Sequence, residues 1–287
     1  MKRLALIGAN GMLAGMLKIT APADGQIIEF DLPAFDLTCR DQVMTTLGTG
    51  GFDALINCAA YTNVDACEAE EALATRVNGA GPGFLAEAAL ASGATLVHVS
   101  TDYVFPGTAT APYTEAALVG PLTAYGRSKL AGEEAILRSA LTRYFIVRTS
   151  WLFGPGGKNF VETVLRLAGE RDELGIVSDQ IGSPTFTADL AAALFSLLET
   201  RDYGLYHFAN SGQCSWYEFA GEIVRQARAQ GLLARTPLIK PLTTDEYPLP
   251  ARRPAYSVLA TDKVRRTTGI IIPAWQDALK RYLASRN

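Results

Sequence analysis

The chain has 287 residues, of which 48% are hydrophobic and 19% charged, a balance that excludes a disordered or collagen-like chain. Its 26 basic and 29 acidic residues give a net charge of −3. This charge argues against a non-specific nucleic-acid binder, because such a protein needs a basic stripe to displace counterions. The length predicts one large or two modest domains.

The four cysteines show no CxxC pairing, which indicates free thiols and a reducing compartment. No run reaches the roughly 18 uninterrupted apolar residues of a membrane span. Glycines at positions 8, 11 and 15 interrupt the apolar start, so it resembles a strand entering a turn more than a secretion signal. We therefore expect a cytoplasmic protein with no membrane segment.

Short apolar runs alternate with segments of helical spacing through the first half of the chain. Strands are predicted at residues 4–7, 26–30, 54–57, 95–100 and 145–148, each apolar enough to be buried on both faces. Helices are predicted at residues 12–19, 65–77, 83–91 and 125–139. This alternation predicts a Rossmann-like, doubly wound parallel sheet of the α/β class.

The pattern loosens after about residue 150. Helices at residues 187–199 and 215–229 are separated by loops rich in glycine and proline at residues 153–158, 182–184 and 236–254. We predict a dinucleotide-binding Rossmann core over residues 1–150. Residues 151–287 are predicted to form a smaller, mainly substrate-binding region packed against that core.

A glycine-rich turn joins the first strand to the first helix. Gly8 permits a tight turn, Gly11 lets backbone N–H groups approach a pyrophosphate, and Ala14 allows close packing of helix on strand. Asp31 follows Gly11 by twenty residues, at the end of the second strand, where a carboxylate can bind ribose hydroxyls. A glycine turn alone is weak evidence, but these features together predict a dinucleotide site.

A second motif places Tyr125 and Lys129 one turn apart on a predicted helix, so the two side chains share a face. An ammonium beside a tyrosine favours the phenolate, and we expect it to lower the pKa of Tyr125. Such a pair suits proton donation to a carbonyl that receives hydride. Tyr-x-x-x-Lys is also common on helix surfaces, so the pair is informative only together with the nucleotide loop.

The stretch Ser100-Thr101-Asp102 lies at the carboxyl end of a predicted strand, where ligands bind in open α/β sheets. A hydroxyl there can polarise a substrate carbonyl, although Ser and Thr also cap strand ends. His98 and His207 lie in apolar runs and are predicted to be buried and hydrogen-bonded rather than catalytic. We expect neither a metal site nor serine-hydrolase chemistry, since the zinc-ligand and Gly-x-Ser-x-Gly patterns are missing.

Together these motifs resemble the extended short-chain dehydrogenase/reductase superfamily, and within it the dTDP-4-dehydrorhamnose reductase family. The resemblance runs from about residue 3 to residue 283. It rests on INCAAYTNVD (56–65), STDYVFPG (100–107), YGRSKLAGE (125–133), RTSW (148–151), NF (159–160), DQIGSPT (179–185) and ARRP (251–254).

The resemblance implies an oxidoreductase that reduces the C4 ketone of dTDP-4-dehydro-6-deoxy-L-mannose to dTDP-L-rhamnose, for cell-surface polysaccharide biosynthesis. Its implied cofactor is NADH or NADPH. The implied catalytic residues are Tyr125, Lys129 and Thr101. The implied cofactor-binding residues are Gly8, Gly11, Met12, Leu13, Asp31, Asp36, Leu37, Ala60, Tyr61, Thr62, Val99, Tyr125 and Lys129. The implied substrate-binding residues are Thr101, Asp102, Tyr125, Trp151, Arg252 and Arg253, of which the arginines suit a diphosphate because arginine binds phosphate bidentately.

Two alternatives stay open at this point. A related reductase giving the talose-type C4 epimer would carry the same motifs, and so would a regulatory subunit that binds nucleotide without turnover. The resemblance also allows a homodimer. In some relatives a metal held by glutamates joins the dimer, but the corresponding position here is Met16, which cannot serve as that ligand.

Overall fold

The computed structural model describes residues 2–286. Its strands are β1 (Lys2–Ile7), β2 (Gly25–Phe30), β3 (Ala54–Asn57), β4 (Thr95–Thr101), β5 (Tyr144–Thr149), β6 (Leu152–Phe153), β7 (Glu173–Val177), β8 (Ile181–Gly182), β9 (Thr185–Phe186), β10 (Gly204–His207), β11 (Cys214–Ser215) and β12 (Leu238–Leu242). Its α-helices are α1 (Met12–Ile19), α2 (Arg40–Leu47), α3 (Val64–Ala69), α4 (Glu71–Thr75), α5 (Gly81–Ser92), α6 (Ala124–Arg138), α7 (Phe160–Glu170), α8 (Thr187–Leu198), α9 (Trp216–Ala229), α10 (Asp262–Thr268) and α11 (Trp275–Ala284).

Six strands form a parallel sheet in the order β2-β1-β3-β4-β5-β10. Successive side chains of a strand point to opposite faces. Accordingly, Leu4 and Leu6 of β1 join the core under α1 and α8, whereas Ala5 and Ile7 join the core under α2, α5 and α6. Helices cover both faces, which confirms the predicted doubly wound α/β fold.

The sheet extends past residue 150, because β10 and α8 both come from the second half. The division into residues 1–150 and 151–287 therefore stays a prediction about function. Much of the second half has a core of its own, formed by α7, α9, α11 and the short strands around them. Aromatic side chains dominate its centre, among them Phe153, Phe219, Trp275 and Tyr282.

Two predicted elements differ from the structure. The helix predicted at residues 65–77 is broken, because Glu70 leaves helical geometry between α3 and α4 and a π-helical turn, Arg76–Ala80, then leads into α5. The loop predicted at residues 236–254 contains β12, which pairs in parallel with β7. Pro241 lies within β12, and such an edge strand tolerates proline because only one of its sides carries a ladder.

Candidate active site

The turn between β1 and α1 brings three loops together. Gly8 has a φ of 78°, and a Cβ at this position would lie 2.5 Å from the backbone nitrogen of Ala59. Glycine is therefore required where the turn touches the loop after β3. Gly11 is the N-cap of α1, whose first N–H groups have no partner within the helix. That end of α1 is suited to an anion.

A cavity of about 230 Å³ lies against this turn. Six of the residues predicted to bind the cofactor line it, namely Gly8, Gly11, Asp31, Asp36, Leu37 and Ala60. The carboxylate of Asp31 accepts hydrogen bonds from the backbone N–H groups of Asn10 at 2.7 Å and Leu32 at 2.8 Å. These two bonds fix the carboxylate beside the glycine turn.

The other predicted cofactor residues have varied surroundings. Met12 packs near Gly157, and Leu13 is buried in the core under α1. The backbone N–H of Tyr61 donates to Asn78 Oδ1 at 2.8 Å, while Thr62 is exposed. The Val99 carbonyl accepts a hydrogen bond from Lys129, and the cofactor roles of these five residues stay predictions.

Thr101 and Asp102 are both buried at the carboxyl end of β4. The Thr101 hydroxyl donates to Asp102 Oδ1 at 3.0 Å and accepts from the Tyr103 N–H at 3.2 Å. Burial raises the pKa of Asp102 to about 6, against the opposing effect of the nearby hydroxyls of Ser257 and Thr101. Its Oδ2 atom is buried and has no partner among the residues described, so it can accept a ligand hydroxyl.

Tyr125 lies next to Thr101, and its ring meets Tyr103 edge-on at 5.5 Å between centroids. The prediction that Lys129 lowers the pKa of Tyr125 is wrong for this structure. Burial raises that pKa instead, and the Thr101 hydroxyl opposes part of the rise. The Lys129 ammonium group points to the Val99 carbonyl, 2.7 Å away, and burial lowers the pKa of Lys129 to about 8.

Beneath Thr101 lies a buried ion pair that sequence reasoning missed. Arg148 Nη2 lies 2.6 Å from Glu133 Oε2, and the two side chains are 4% and 1% exposed. Ser100 donates to the other Glu133 oxygen, and the guanidinium lies 4.9 Å from the centre of the Phe105 ring. These contacts tie α6, β4 and β5 together. No spacing rule connects a glutamate on a helix to an arginine on the following strand.

Both histidines are buried and hydrogen-bonded, as predicted. His207 Nδ1 contacts the Tyr113 carbonyl at 3.1 Å, and its Nε2 lies 3.5 Å from Arg148. Burial and the neighbouring guanidinium lower the pKa of His207 to about 3. His98 lies between Asn57 and Lys129.

Trp151 lies two residues after the end of β5 with a φ of 47°, a left-handed conformation that is strained for a bulky residue. Its indole stacks on Trp216 with 3.5 Å between ring centroids and 9° between planes. A Cβ at Gly182 would lie 2.4 Å from the same indole. Trp151 is half-buried, and Trp216 covers one face of its indole. The sugar-binding role of Trp151 stays a prediction.

The two predicted diphosphate arginines differ in their surroundings. Arg253 forms a two-pronged pair with Asp65, with 2.7 Å between Nη2 and Oδ2, and also donates to the Ala251 carbonyl. Arg252 is exposed. The pair joins the segment after β12 to α3, and its guanidinium is already occupied by a carboxylate. The prediction of phosphate binding therefore fits Arg252 better than Arg253.

Across residues 2–286, no group of three or more His, Cys, Asp or Glu side chains is gathered as metal ligands. None of the helices in that range is both long and apolar enough to cross a membrane.

A parallel sheet with a glycine turn before α1 and a Tyr-x-x-x-Lys pair on the helix after β4 defines an oxidoreductase of the extended short-chain dehydrogenase/reductase superfamily. The family model described as RmlD substrate binding domain matches residues 1–287. The chain is 41% identical to the dTDP-4-dehydrorhamnose reductase of Aggregatibacter actinomycetemcomitans, over 99% of each chain. It belongs to the dTDP-4-dehydrorhamnose reductase family.

Solved structures agree with this assignment. A crystal structure of a dTDP-4-dehydrorhamnose reductase from Clostridium acetobutylicum is 41% identical with a TM-score of 0.92, over 99% of each chain. The reductase from Bacillus anthracis, solved in complex with NADP, is 39% identical with a TM-score of 0.94, over 99% of this chain and 100% of that one.

Proposed function

We propose that this chain reduces the C4 ketone of dTDP-4-dehydro-6-deoxy-L-mannose to dTDP-L-rhamnose with NADH or NADPH. The observation that carries the proposal is the position of Tyr125 beside Thr101, at the carboxyl end of β4. Cys58, which lines the cavity at the glycine turn, is close enough to Lys129 to affect its pKa. The proton donor is therefore near the proposed cofactor site.

The residues at the cavity fit a dinucleotide. Gly8 leaves no room for a side chain, Gly11 opens α1 toward an anion, and Asp31 is held beside them as a ribose acceptor. When bound there, NAD(P)H supplies a hydride to the carbonyl carbon.

The chain supplies the proton for the carbonyl oxygen. Because burial raises the pKa of Tyr125, its phenol is protonated at neutral pH, and this is the form that can donate. In this proposal the Thr101 hydroxyl, beside the phenol, turns from Asp102 Oδ1 and donates its one proton to the carbonyl oxygen. In this proposal Lys129 assists Tyr125 and binds the nicotinamide ribose.

Substrate contacts come from both halves of the chain. The unpartnered Oδ2 of Asp102 accepts a sugar hydroxyl, and Trp151 offers its open indole surface to the deoxy sugar. Arg252, which is exposed, binds the diphosphate. We also propose action in the cytoplasm, which the four free cysteines support, and a homodimer stays a prediction.

The proposal is tested by supplying dTDP-4-dehydro-6-deoxyglucose, a 3,5-epimerase and NADH or NADPH, and identifying the product by NMR. We expect dTDP-L-rhamnose. The talose-type epimer would show that the ring presents its other face to the hydride. Cofactor binding without any sugar product would favour the regulatory subunit.

The variant Tyr125→Phe tests the proposed proton donor, because it removes one hydroxyl and keeps the ring. We expect the turnover number to fall by roughly 10²–10⁴-fold, the usual contribution of general acid catalysis, with an unchanged dissociation constant for NADH. Turnover near the wild-type rate would refute the role of Tyr125.

A further inference from the structure

A chain of buried polar groups leads from the loop after β3 to Lys129. Asn57 and His98 face each other in the parallel register of β3 and β4, and each is 1% exposed. The Ala59 N–H donates to Asn57 Oδ1 at 3.1 Å, and Asn57 Nδ2 lies 3.0 Å from His98 Nδ1. His98 Nε2 lies 3.4 Å from Lys129 Nζ, which donates to the Val99 carbonyl.

The Ala59 N–H at the start of this chain of groups fixes the direction of the hydrogen bonds that follow. A backbone N–H can only donate, so the side-chain oxygen of Asn57 faces Ala59 and its NH₂ group faces His98. His98 Nδ1 must then accept. Burial holds the pKa of His98 well below its usual range, so the ring is neutral and carries its one proton on Nε2.

This proton has a consequence for Lys129. An ammonium group has donors only, so it cannot accept the Nε2–H of His98, whereas a neutral amine accepts it through its lone pair. Burial already disfavours the charged form of Lys129. The ionisable groups that favour its charged form are Glu133, one turn along α6, and Cys58, after β3. The Glu133 carboxylate is shared with Arg148, which weakens its support.

We propose that Asn57 and His98 are positioning residues that set the protonation state of Lys129 through a fixed direction of hydrogen bonding that begins at Ala59. In the resting site they stabilise the neutral amine form of Lys129, between His98 and the Val99 carbonyl, relative to its ammonium form. The proposal rests on the proposed function, because Lys129 is the partner of Tyr125 there. Ala59 also touches Gly8, so the same chain ends at the cofactor cavity.

The proton on the ring can be located directly by NMR. His98 and His207 are the two histidines of the chain, so ¹⁵N-histidine labelling gives two ring systems, and His98→Leu assigns them. At pH 9 we expect His98 to carry its proton on Nε2 and none on Nδ1. A proton on Nδ1 in the wild-type protein would overturn the proposal. This measurement needs no turnover, so it can fail or succeed independently of the proposed function.

The variant Asn57→Asp reverses the direction of bonding with almost no change in shape. Its carboxylate accepts from Ala59 with one oxygen and from His98 with the other, so the ring proton should move to Nδ1. An unchanged ring proton in this variant would contradict the proposed relay. If Asn57→Asp fails to fold, the wild-type spectrum still decides the question.

A second readout is the pH at which NADH affinity changes. His98→Leu removes the opposing Nε2–H, so we expect the midpoint assigned to Lys129 to rise by about one pH unit, a tenfold change in proton affinity. Lys129→Met, the control, should abolish that midpoint. Adding Asn57→Leu to His98→Leu should cause no further shift, because Asn57 acts through the ring. An unmoved midpoint in His98→Leu would count against the proposal.

Discussion

The two sides of the active site are held by different forces. Below Thr101 and Lys129 lies what we call the polar floor, formed by Asn57, His98, Ser100, Glu133 and Arg148, all of them buried. Three residues after Arg148 along the chain begins what we call the aromatic wall, the half-buried stack of Trp151 on Trp216. Buried charges tolerate little displacement, because each partner left alone is costly, whereas stacked rings slide at small cost. We therefore expect the floor to keep its geometry when a ligand binds, and the wall to adapt to the ligand.

Breaking the ion pair of the floor should have the largest effect on stability. Arg148→Met keeps the length of the side chain but leaves Glu133 buried without its partner, and we expect a loss of about 3–5 kcal/mol in the free energy of unfolding. Arg253→Met is the control, since its pair with Asp65 is partly exposed, and we expect a loss of about 1 kcal/mol or less. Urea denaturation measures both. Equal losses would remove the distinction between buried and exposed pairs.

Substitution of Asp102 tests whether the buried polar groups of the floor extend to the proposed substrate contact. Because burial holds its pKa near 6, against an ordinary value of 3.8, the folded protein pays for a charged Asp102 at neutral pH. Asp102→Asn keeps the shape without the charge. We expect a gain of up to about 3 kcal/mol in the free energy of unfolding at pH 7, together with a lower turnover number.

The sign of this effect depends on pH. Below pH 3.8 Asp102 is protonated in both the folded and the unfolded chain, so its ionisation has no influence. Between pH 3.8 and about 6 the unfolded chain releases the proton and the folded chain keeps it, so wild-type stability falls as pH rises. The advantage of Asp102→Asn should therefore grow over this range and level off above it. A pH-independent difference would contradict the assigned pKa.

Much of the nucleotide side could be predicted because its signals are local. Gly8 and Gly11 follow a strand directly, Asp31 ends the next strand, and Tyr125 and Lys129 are one helical turn apart. The boundaries of β3 and α1 agree with the sequence pattern to the residue. In each case the backbone geometry of one element fixes which side chains meet.

The polar floor and the aromatic wall could not be predicted in the same way. Asn57 meets His98 through strand register, and Arg148 meets Glu133 across two elements, so neither contact has a fixed spacing along the chain. Trp216 follows Trp151 by 65 residues. The direction of the pKa shift of Tyr125 was also missed, because burial, which raises it, is a property of the folded chain.

Substitutions in the aromatic wall should have a smaller effect, measured as the KM for the sugar nucleotide, and the second tryptophan of the stack supplies the control variant. If Trp151 contacts the sugar, Trp151→Ala should raise the KM for the sugar nucleotide by about two- to tenfold, since an aromatic contact contributes roughly 0.5–1.5 kcal/mol beyond buried area. Trp216→Ala removes the same stack from the other side and should change KM less. Steady-state kinetics and thermal melting separate the two roles. A large loss of Tm with an unchanged KM in Trp151→Ala would show that this residue only packs the core.

We expect cofactor choice to depend on the charge of Asp31, and this is the smallest of the expected effects. The Asp31 carboxylate is fixed by Asn10 and Leu32, in a position to accept ribose hydroxyls and to repel a 2′-phosphate. Two like charges about 4 Å apart in water repel by about 1 kcal/mol, which corresponds to a preference for NADH of roughly fivefold. No cation follows Asp31 in sequence before Arg40, which is bound to Glu87. We expect NADPH to serve as the second cofactor. Asp31→Asn keeps an acceptor and removes the charge, so the ratio of kcat/KM for the two cofactors should approach one. A wild-type kcat/KM tenfold higher with NADPH would contradict the preference, and an unchanged ratio in Asp31→Asn would show that another group sets it.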